Sequence, residues 1–351
     1  MKAVFFETHG GNEVHQYGER PAPEPAAGQV RVAIRAAALN HLDIFVRDGI
    51  PGVPLPQVPG ADGSGVVDTV GADVEGLTPG DRVLIQPGLW CNACEFCRRG
   101  EQSNCVRFGI VGEHAPGTFA EHVVVPARNL FPIPERLSFE QAAAFPLVYQ
   151  TAWRMLIGRA RVRPGETVLI HGAGGGVGGA ALEIAILAGA RVFATTSSAE
   201  KAALLTEAGA ELTIDYSKED VAKTIRAQTA KRGVDVVVDS VGEKTWMSSL
   251  LCVAKGGRIV TCGATSGPNP KEEIRQIFWK QIDILGSTMA NDSEFRTLLA
   301  AVSAGNLTPR IDKVFPLSSA REAYARMEEG RHHGKILLVP EGAGREWPDG
   351  D

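Results

Sequence analysis

Hydrophobic and polar positions change rhythm once along the chain, near Ser138. Before it, short runs alternate with a period of two: "QVRVAIRAAAL", "GSGVVDTVG", "DRVLIQPG" and "AEHVVVPA". That period sends successive side chains to opposite faces of a strand, and the Gly/Pro-rich joins between runs are turns. An all-β, barrel-like domain is the reading. The change comes at "LSFEQAAAFPLVYQTAWRML", where Ser138 and Gln141 form a capping box, so a helix starts there. From residue 166, strand-like runs ("ETVLIHGA", "RVFATT", "LTIDY", "DVVVDSVG", "GRIVTCGA", "IDILGSTM") alternate with helical ones ("VGGAALEIAILAG", "SAEKAALLTEAG"). Strand–helix alternation at this rhythm specifies a parallel sheet covered by helices on both faces, so the chain is α/β overall. Beyond it, "DSEFRTLLAAVSAG" reads as a helix, "GKILLVP" as a last strand and "EGAGREWPDGD" as a loose polar tail. Residues 1–145 with 290–351 then form one domain and residues 146–289 the other.

Composition narrows the class. At 351 residues the chain exceeds one ordinary core, which agrees with two domains. A net charge of −5 argues against a nucleic-acid partner. No apolar run approaches the ~20 residues of a membrane helix, and "MKAVFFETHGG" has no signal-peptide core. A soluble cytoplasmic protein is expected, with no membrane or nucleic-acid partner. Its thiols stay reduced, so clustered cysteines point to metal before disulfide.

Four of the six cysteines fall in "CNACEFCRRGEQSNC": Cys91, Cys94, Cys97 and Cys105. Four thiolates at this spacing surround one zinc tetrahedrally and leave no position for water or substrate, which makes the ion structural. Cys252 and Cys262 stand in apolar, strand-like surroundings and read as buried bystanders.

The run "ETVLIHGAGGGVGGAALEIAILAGA" is a buried strand, a glycine turn and an apolar helix. Glycine lets backbone approach a pyrophosphate, and the helix N-terminus supplies N–H groups. Two registers fit: Ala173, Gly175 and Gly178, or Ala173, Gly176 and Gly179, with Gly176 and Val177 between the outer glycines of the first. The next strand ends "RVFATTSSAEK". Thr195 and Thr196 stand where an NAD-binding fold usually carries an acid, followed by Ser197, Ser198 and Lys201. With no carboxylate to repel a 2′-phosphate, and with hydroxyls and one cation to bind it, NADPH is favoured over NADH.

At these landmarks the chain resembles the medium-chain dehydrogenase/reductase superfamily over nearly its whole length. The cysteine loop, "AGGGVG", "VVVDSVG", "GGRIVTCGA" and "GKILLV" follow in that superfamily's order. The resemblance implies a GroES-like β-domain plus a Rossmann domain, with the active site in the cleft and Val241 and Gly263 among the cofactor-binding residues. It also implies a homodimer or homotetramer, built on the apolar strand "IDILGSTM". In zinc alcohol dehydrogenases of the superfamily a Cys, a His-Glu pair and a Cys or Asp surround a catalytic zinc. Here those places hold Asn40, Ala61 with Asp62, and Leu147. Alanine and leucine cannot bind zinc, and asparagine binds it poorly.

"NHLDIFVRDG" is similar to a stretch of the zinc-free quinone oxidoreductases and enone reductases, with Asn40, Asp43, Arg47 and Gly49 in register and Phe45 in place of their tyrosine. The likeness implies roles for Ser197, Lys201 and Tyr216 around the adenosine phosphate and for Thr151 near the nicotinamide. The expected activity is NADPH-dependent hydride transfer to a quinone or α,β-unsaturated carbonyl, with one structural zinc. Asn40 is expected to hold the oxyanion and Tyr149 to line the substrate pocket. His41 with Asp62 reads as a satisfied, partly buried pair, and Asp43 with Arg47 as a structural ion pair. The competing readings are a zinc alcohol dehydrogenase with unrecognised ligands and a nucleotide-binding redox sensor.

Overall fold

A computed structural model of the chain describes residues 1–343. The chain divides into two compact units: Met1–Leu147 with the chain from Thr308 on, and Val148–Leu307.

The first unit is built on one mixed sheet. Its strands run Ile311–Pro316, Lys335–Val339, Gln29–Ala38, Asp62–Val70, Arg82–Ile85 and Leu130–Pro132, and His122–Pro126 also pairs with Gln29–Ala38. The period of two in "QVRVAIRAAA" becomes a burial alternation along Gln29–Ala38, whose Val30, Val32 and Ile34 enter the core with Phe119, Tyr324, Ile336 and Leu338. A helix, His41–Asp48, follows that strand directly, and the capping box of Ser138 and Gln141 opens the helix Phe139–Ala144. The tail begins tied down, because Glu341 accepts from the Tyr17 hydroxyl at 2.9 Å and from Ser318 N at 3.0 Å. Its remainder, residues 344–351, lies outside the described residues.

The second unit is a six-stranded parallel sheet in the order Leu212–Asp215, Arg191–Thr196, Thr167–Ile170, Val234–Asp239, Val253–Thr261, Asp283–Gly286. This is the doubly wound order, in which the first strand stands centrally and the direction of winding reverses beside it. The continuous apolar runs of the sequence are strands buried on both faces: Thr167–Ile170 is buried at every position. The helix Asp292–Ser303 belongs to this unit, so the return to the first unit falls at Thr308 and not at residue 290. Part of the reason is an ion pair, Arg154 Nη1 to Glu294 Oε2 at 2.8 Å, inside the second unit.

Candidate functional site

The cysteine loop closes as its spacing requires. The four sulfurs of Cys91, Cys94, Cys97 and Cys105 lie within 4.8 Å of one another, and Cys91 and Cys97 are 3.9 Å apart. A tetrahedral zinc with ~2.3 Å bonds needs sulfurs about 3.8 Å apart, so the donor set and its spread fit that ion. Backbone N–H groups of Ala93 and Cys94 point at Cys91 Sγ and hold its thiol down to about 5. Trp90 and Phe108 pack against the cluster. Cys252 is buried at the end of the helix Trp246–Cys252, not in a strand, and Cys262 follows the strand Val253–Thr261 half-buried.

In the second unit the residues expected to bind a nucleotide, Thr151 apart, lie at or just beyond the C-terminal ends of the parallel strands. Gly175 caps the helix Gly176–Leu187, which carries Gly176, Val177 and Gly178 in its first turn and follows Ala173. The geometry separates the two registers. A Cβ on Gly178 would stand 2.5 Å from Gly172 O, whereas one on Gly179 would meet Ala173 O at an ordinary 3.7 Å. The glycine required for close approach is therefore Gly178, which selects Ala173, Gly175 and Gly178.

The two threonines at the end of Arg191–Thr196 differ. Thr195 Oγ1 accepts from Gly172 N at 3.1 Å and so fastens the glycine turn. Thr196 is 2% exposed, and its Oγ1 has no partner among the described residues. An orphaned buried hydroxyl is costly unless a ligand satisfies it, which suits this strand end to a bound nucleotide. Ser197 is exposed beside it, Lys201 lies on the helix Ala199–Glu207, and Tyr216, exposed, follows Leu212–Asp215. Val241 and Gly263 follow the strands Val234–Asp239 and Val253–Thr261. Thr151 and Tyr149 are buried on the helix Pro146–Trp153, and Thr151 Oγ1 reaches Met289 Sδ at 3.8 Å. His171, at the start of the glycine turn, is buried, and burial lowers its pKa.

In the first unit the places of the absent zinc ligands form a closed polar network. Asn40 is 3% exposed, Asp62 0% and Lys335 4%. Asn40 Nδ2 donates to Asp62 Oδ2 at 3.0 Å and to Ala38 O at 3.3 Å, while Asn40 Oδ1 accepts from Lys335 Nζ. Lys335 Nζ also donates to Asp62 Oδ2 at 3.2 Å, and Leu147 N donates to Asp62 Oδ1 at 2.8 Å. Asp43 accepts from Asn40 N at 2.7 Å and Gly60 N at 3.0 Å, and burial pushes its carboxyl up to about 7.

Three expectations are corrected here. Asn40 spends both amide hydrogens on protein acceptors, so they are not directed at a substrate oxygen. Asp43 does not pair with Arg47, which binds Asp48 and Glu328, each at 2.6 Å. Asp62 is satisfied by Asn40, Lys335 and Leu147, not by His41, whose ring packs edge-on to Phe45 at 5.1 Å. Sequence reasoning missed Lys335, although one charge inside the apolar run "GKILLV" was its signal.

Two family models match the chain: the alcohol dehydrogenase GroES-like domain over residues 26–135 and the zinc-binding dehydrogenase domain over 176–304. A zinc-type alcohol dehydrogenase-like protein of Schizosaccharomyces pombe is 37% identical over 320 residues, covering 89% of this chain and 90% of the relative. The chain belongs to the medium-chain dehydrogenase/reductase superfamily. Another superfamily member, the quinone oxidoreductase of Pseudomonas aeruginosa, is 33% identical over 349 residues, 97% of this chain and 99% of the relative. A crystal structure of an NAD-dependent alcohol dehydrogenase superposes with a TM-score of 0.93 at 47% identity, covering 97% of this chain and 99% of that one. As a member of that superfamily the chain is an oxidoreductase; the family uses a nicotinamide cofactor, and its oxidoreductase members act on small molecules. Among the described residues no helix is long and apolar enough to cross a membrane.

Proposed function

We propose that the chain is an NADPH-dependent reductase that delivers hydride to a quinone or an α,β-unsaturated carbonyl without a catalytic zinc. The observation that carries this is the donor set around Asp62. Ala61 has no donor atom, Leu147 offers only a peptide N–H, and Asn40 and Asp62 are bound to Lys335 and to each other. A simple alcohol or aldehyde relies on a Lewis acid to stabilise its alkoxide. A conjugated acceptor spreads the developing charge over its own π-system and needs less help.

The bound cofactor supplies the hydride. The residues assigned to hold its adenosine phosphate are Thr196, Ser197, Lys201 and Tyr216, with Ala173, Gly175, Gly176, Val177 and Gly178 at the pyrophosphate. Thr151, Val241 and Gly263 are assigned to the nicotinamide end. Tyr149 is assigned to the substrate pocket. Asn40 acts by orienting the start of the helix His41–Asp48, since its own hydrogens are engaged. Cys91, Cys94, Cys97 and Cys105 hold one structural zinc.

The test compares ethanol and benzyl alcohol with NADP⁺ against enones and quinones with NADPH. Faster turnover of the alcohols, abolished by chelators, would overturn the proposal. It would favour a zinc alcohol dehydrogenase, the reading supported by the 47% identical alcohol dehydrogenase structure. Zinc content separates the two: one ion per chain against two.

A homodimer, or a homotetramer built as a dimer of dimers, fits the edge of the parallel sheet. Among the described residues Asp283–Gly286 pairs on one side only, with Val253–Thr261, and Ile284 is exposed on it. The preceding helix Ile274–Lys280 exposes Ile274, Phe278 and Trp279, the last at 73%. A bare edge beside an apolar patch favours pairing with a second copy.

A further inference from the structure

The strand Val234–Asp239 ends on a carboxylate with no exposed surface. Asp239 Oδ1 accepts from Val241 N at 2.9 Å, Gly242 N at 3.0 Å and Thr245 Oγ1 at 2.8 Å. Asp239 Oδ2 accepts from Thr245 Oγ1 at 2.9 Å and Ser249 Oγ at 2.7 Å. Burying a carboxylate is costly, and these donors offset that cost by gripping the turn over 240–245.

The turn is joined to its neighbours on two sides. Gly242 has φ 85°, and a Cβ there would lie 2.7 Å from Gly267 O and 3.0 Å from Ala264 Cα, so backbone packs on backbone. Ser266 donates to Val241 O through its hydroxyl at 2.7 Å and its N–H at 2.8 Å. On the other side Val241 Cγ2 would touch a Cβ on Gly172 at 3.5 Å. Asp239 thus stands at the joint of the glycine turn, the turn over 240–245 and the segment 264–267. In a doubly wound sheet the second strand reads the adenosine ribose, so the nicotinamide half extends past the switch point, over the fourth strand. That strand is Val234–Asp239.

We propose that Asp239 is a positioning residue for the nicotinamide half of the cofactor, acting through the turn that carries Val241. The inference rests on the reading that these strand ends hold a nicotinamide nucleotide. It assigns Asp239 no part in holding the adenosine end.

The experiment compares whole dinucleotides with their adenosine halves. Dissociation constants of NADPH, NADH, 2′,5′-ADP and 5′-ADP are measured on the full chain by calorimetry. Asp239→Ala should weaken the dinucleotides by about tenfold, the equivalent of one lost hydrogen bond to a charged group, and change the ADP fragments by less than about twofold. Asp239→Asn keeps an oxygen for Val241 N and Gly242 N and should recover dinucleotide binding to within about threefold of wild type. Should Asp239→Ala not fold, the pair Thr245→Val with Ser249→Ala leaves the carboxylate and its peptide bonds in place. It should show the same split at about threefold. Dinucleotides and fragments weakening in parallel would mean a merely structural carboxylate, and no change in either would mean no role; both results overturn the proposal. A wild-type chain that binds neither dinucleotide nor fragment would overturn the cofactor reading itself, and this inference with it.

Discussion

Lys335→Met removes the ammonium from the network around Asp62 while keeping most of the side chain's volume. Its stability cost can be worked from the geometry. At the 3.2 Å separation of Lys335 Nζ and Asp62 Oδ2, an effective dielectric near 20 gives an attraction of about 5 kcal/mol. Burial of both groups means that the variant strands a desolvated carboxylate, and breaking such a pair typically costs about 3–5 kcal/mol. Asn40 Oδ1 loses its donor as well. Adding Asp62→Asn removes the stranded charge and should restore more than half of the loss, because Asn40 can rotate its amide to meet the new one. Urea unfolding followed by tryptophan fluorescence measures the wild type, both single variants and the double variant as a cycle. A loss under about 1 kcal/mol for Lys335→Met would show that the pair contributes little, as exposed pairs do. Losses that simply add in the double variant would refute the network itself, since coupled neighbours do not add.

Four further outcomes are expected. Elemental analysis should find one zinc per chain, and Cys94→Ser should lower thermal stability more than turnover, because a four-thiolate ion leaves no open position for substrate. Lys201→Ala should weaken NADPH by about 1–2 kcal/mol, one charge-assisted bond, and leave NADH nearly unchanged; equal losses would remove Lys201 from the 2′-phosphate. Ile284→Asp with Trp279→Asp should give a monomer in sedimentation velocity if the sheet edge is the contact, and an unchanged assembly would place the contact elsewhere. His15 is buried between Phe6 and Tyr324, and burial lowers its pKa from 6.5 to about 4. The unfolded chain therefore binds the extra proton across that window, and wild-type stability falls with acidification there. Its advantage over His15→Phe should grow as pH rises from about 4 to 6.5, and a constant difference would count against the assignment.

Features set by local pattern were legible in the sequence. The period of two along Gln29–Ala38, the buried run Thr167–Ile170 and the capping box at Ser138 each follow from neighbouring residues alone. The cysteine spacing was legible for the same reason. What was not legible depends on chain segments far apart. Asp43 and Arg47 stand four apart on one helix, yet Arg47 turns to Glu328, 281 residues away, and Asp43 turns to Gly60 N. The choice between Gly178 and Gly179 rests on a backbone approach that spacing cannot express. Asn40 has a side chain suited to a substrate carbonyl, and only the fold shows that Asp62, Ala38 and Lys335 already occupy it. Lys335 and Asp239 share one signal: a charge at the end of an apolar run that ends up fully or nearly fully buried.

The sheet of the first unit takes strands from both sides of the second in sequence. Gln29–Ala38 pairs with Lys335–Val339, and Lys335 neutralises a carboxylate set 273 residues earlier. During synthesis, residues 148–307 emerge as one continuous stretch and can fold before the first unit has its last two strands. Until Lys335 leaves the ribosome, the nascent first unit has an open sheet edge at Ala37 and Ala38 and an unbalanced charge at Asp62. A nascent chain halted before Lys335 is therefore a natural client for chaperones that bind exposed strand edges. One with Val339 clear of the ribosome has every strand of the described sheet.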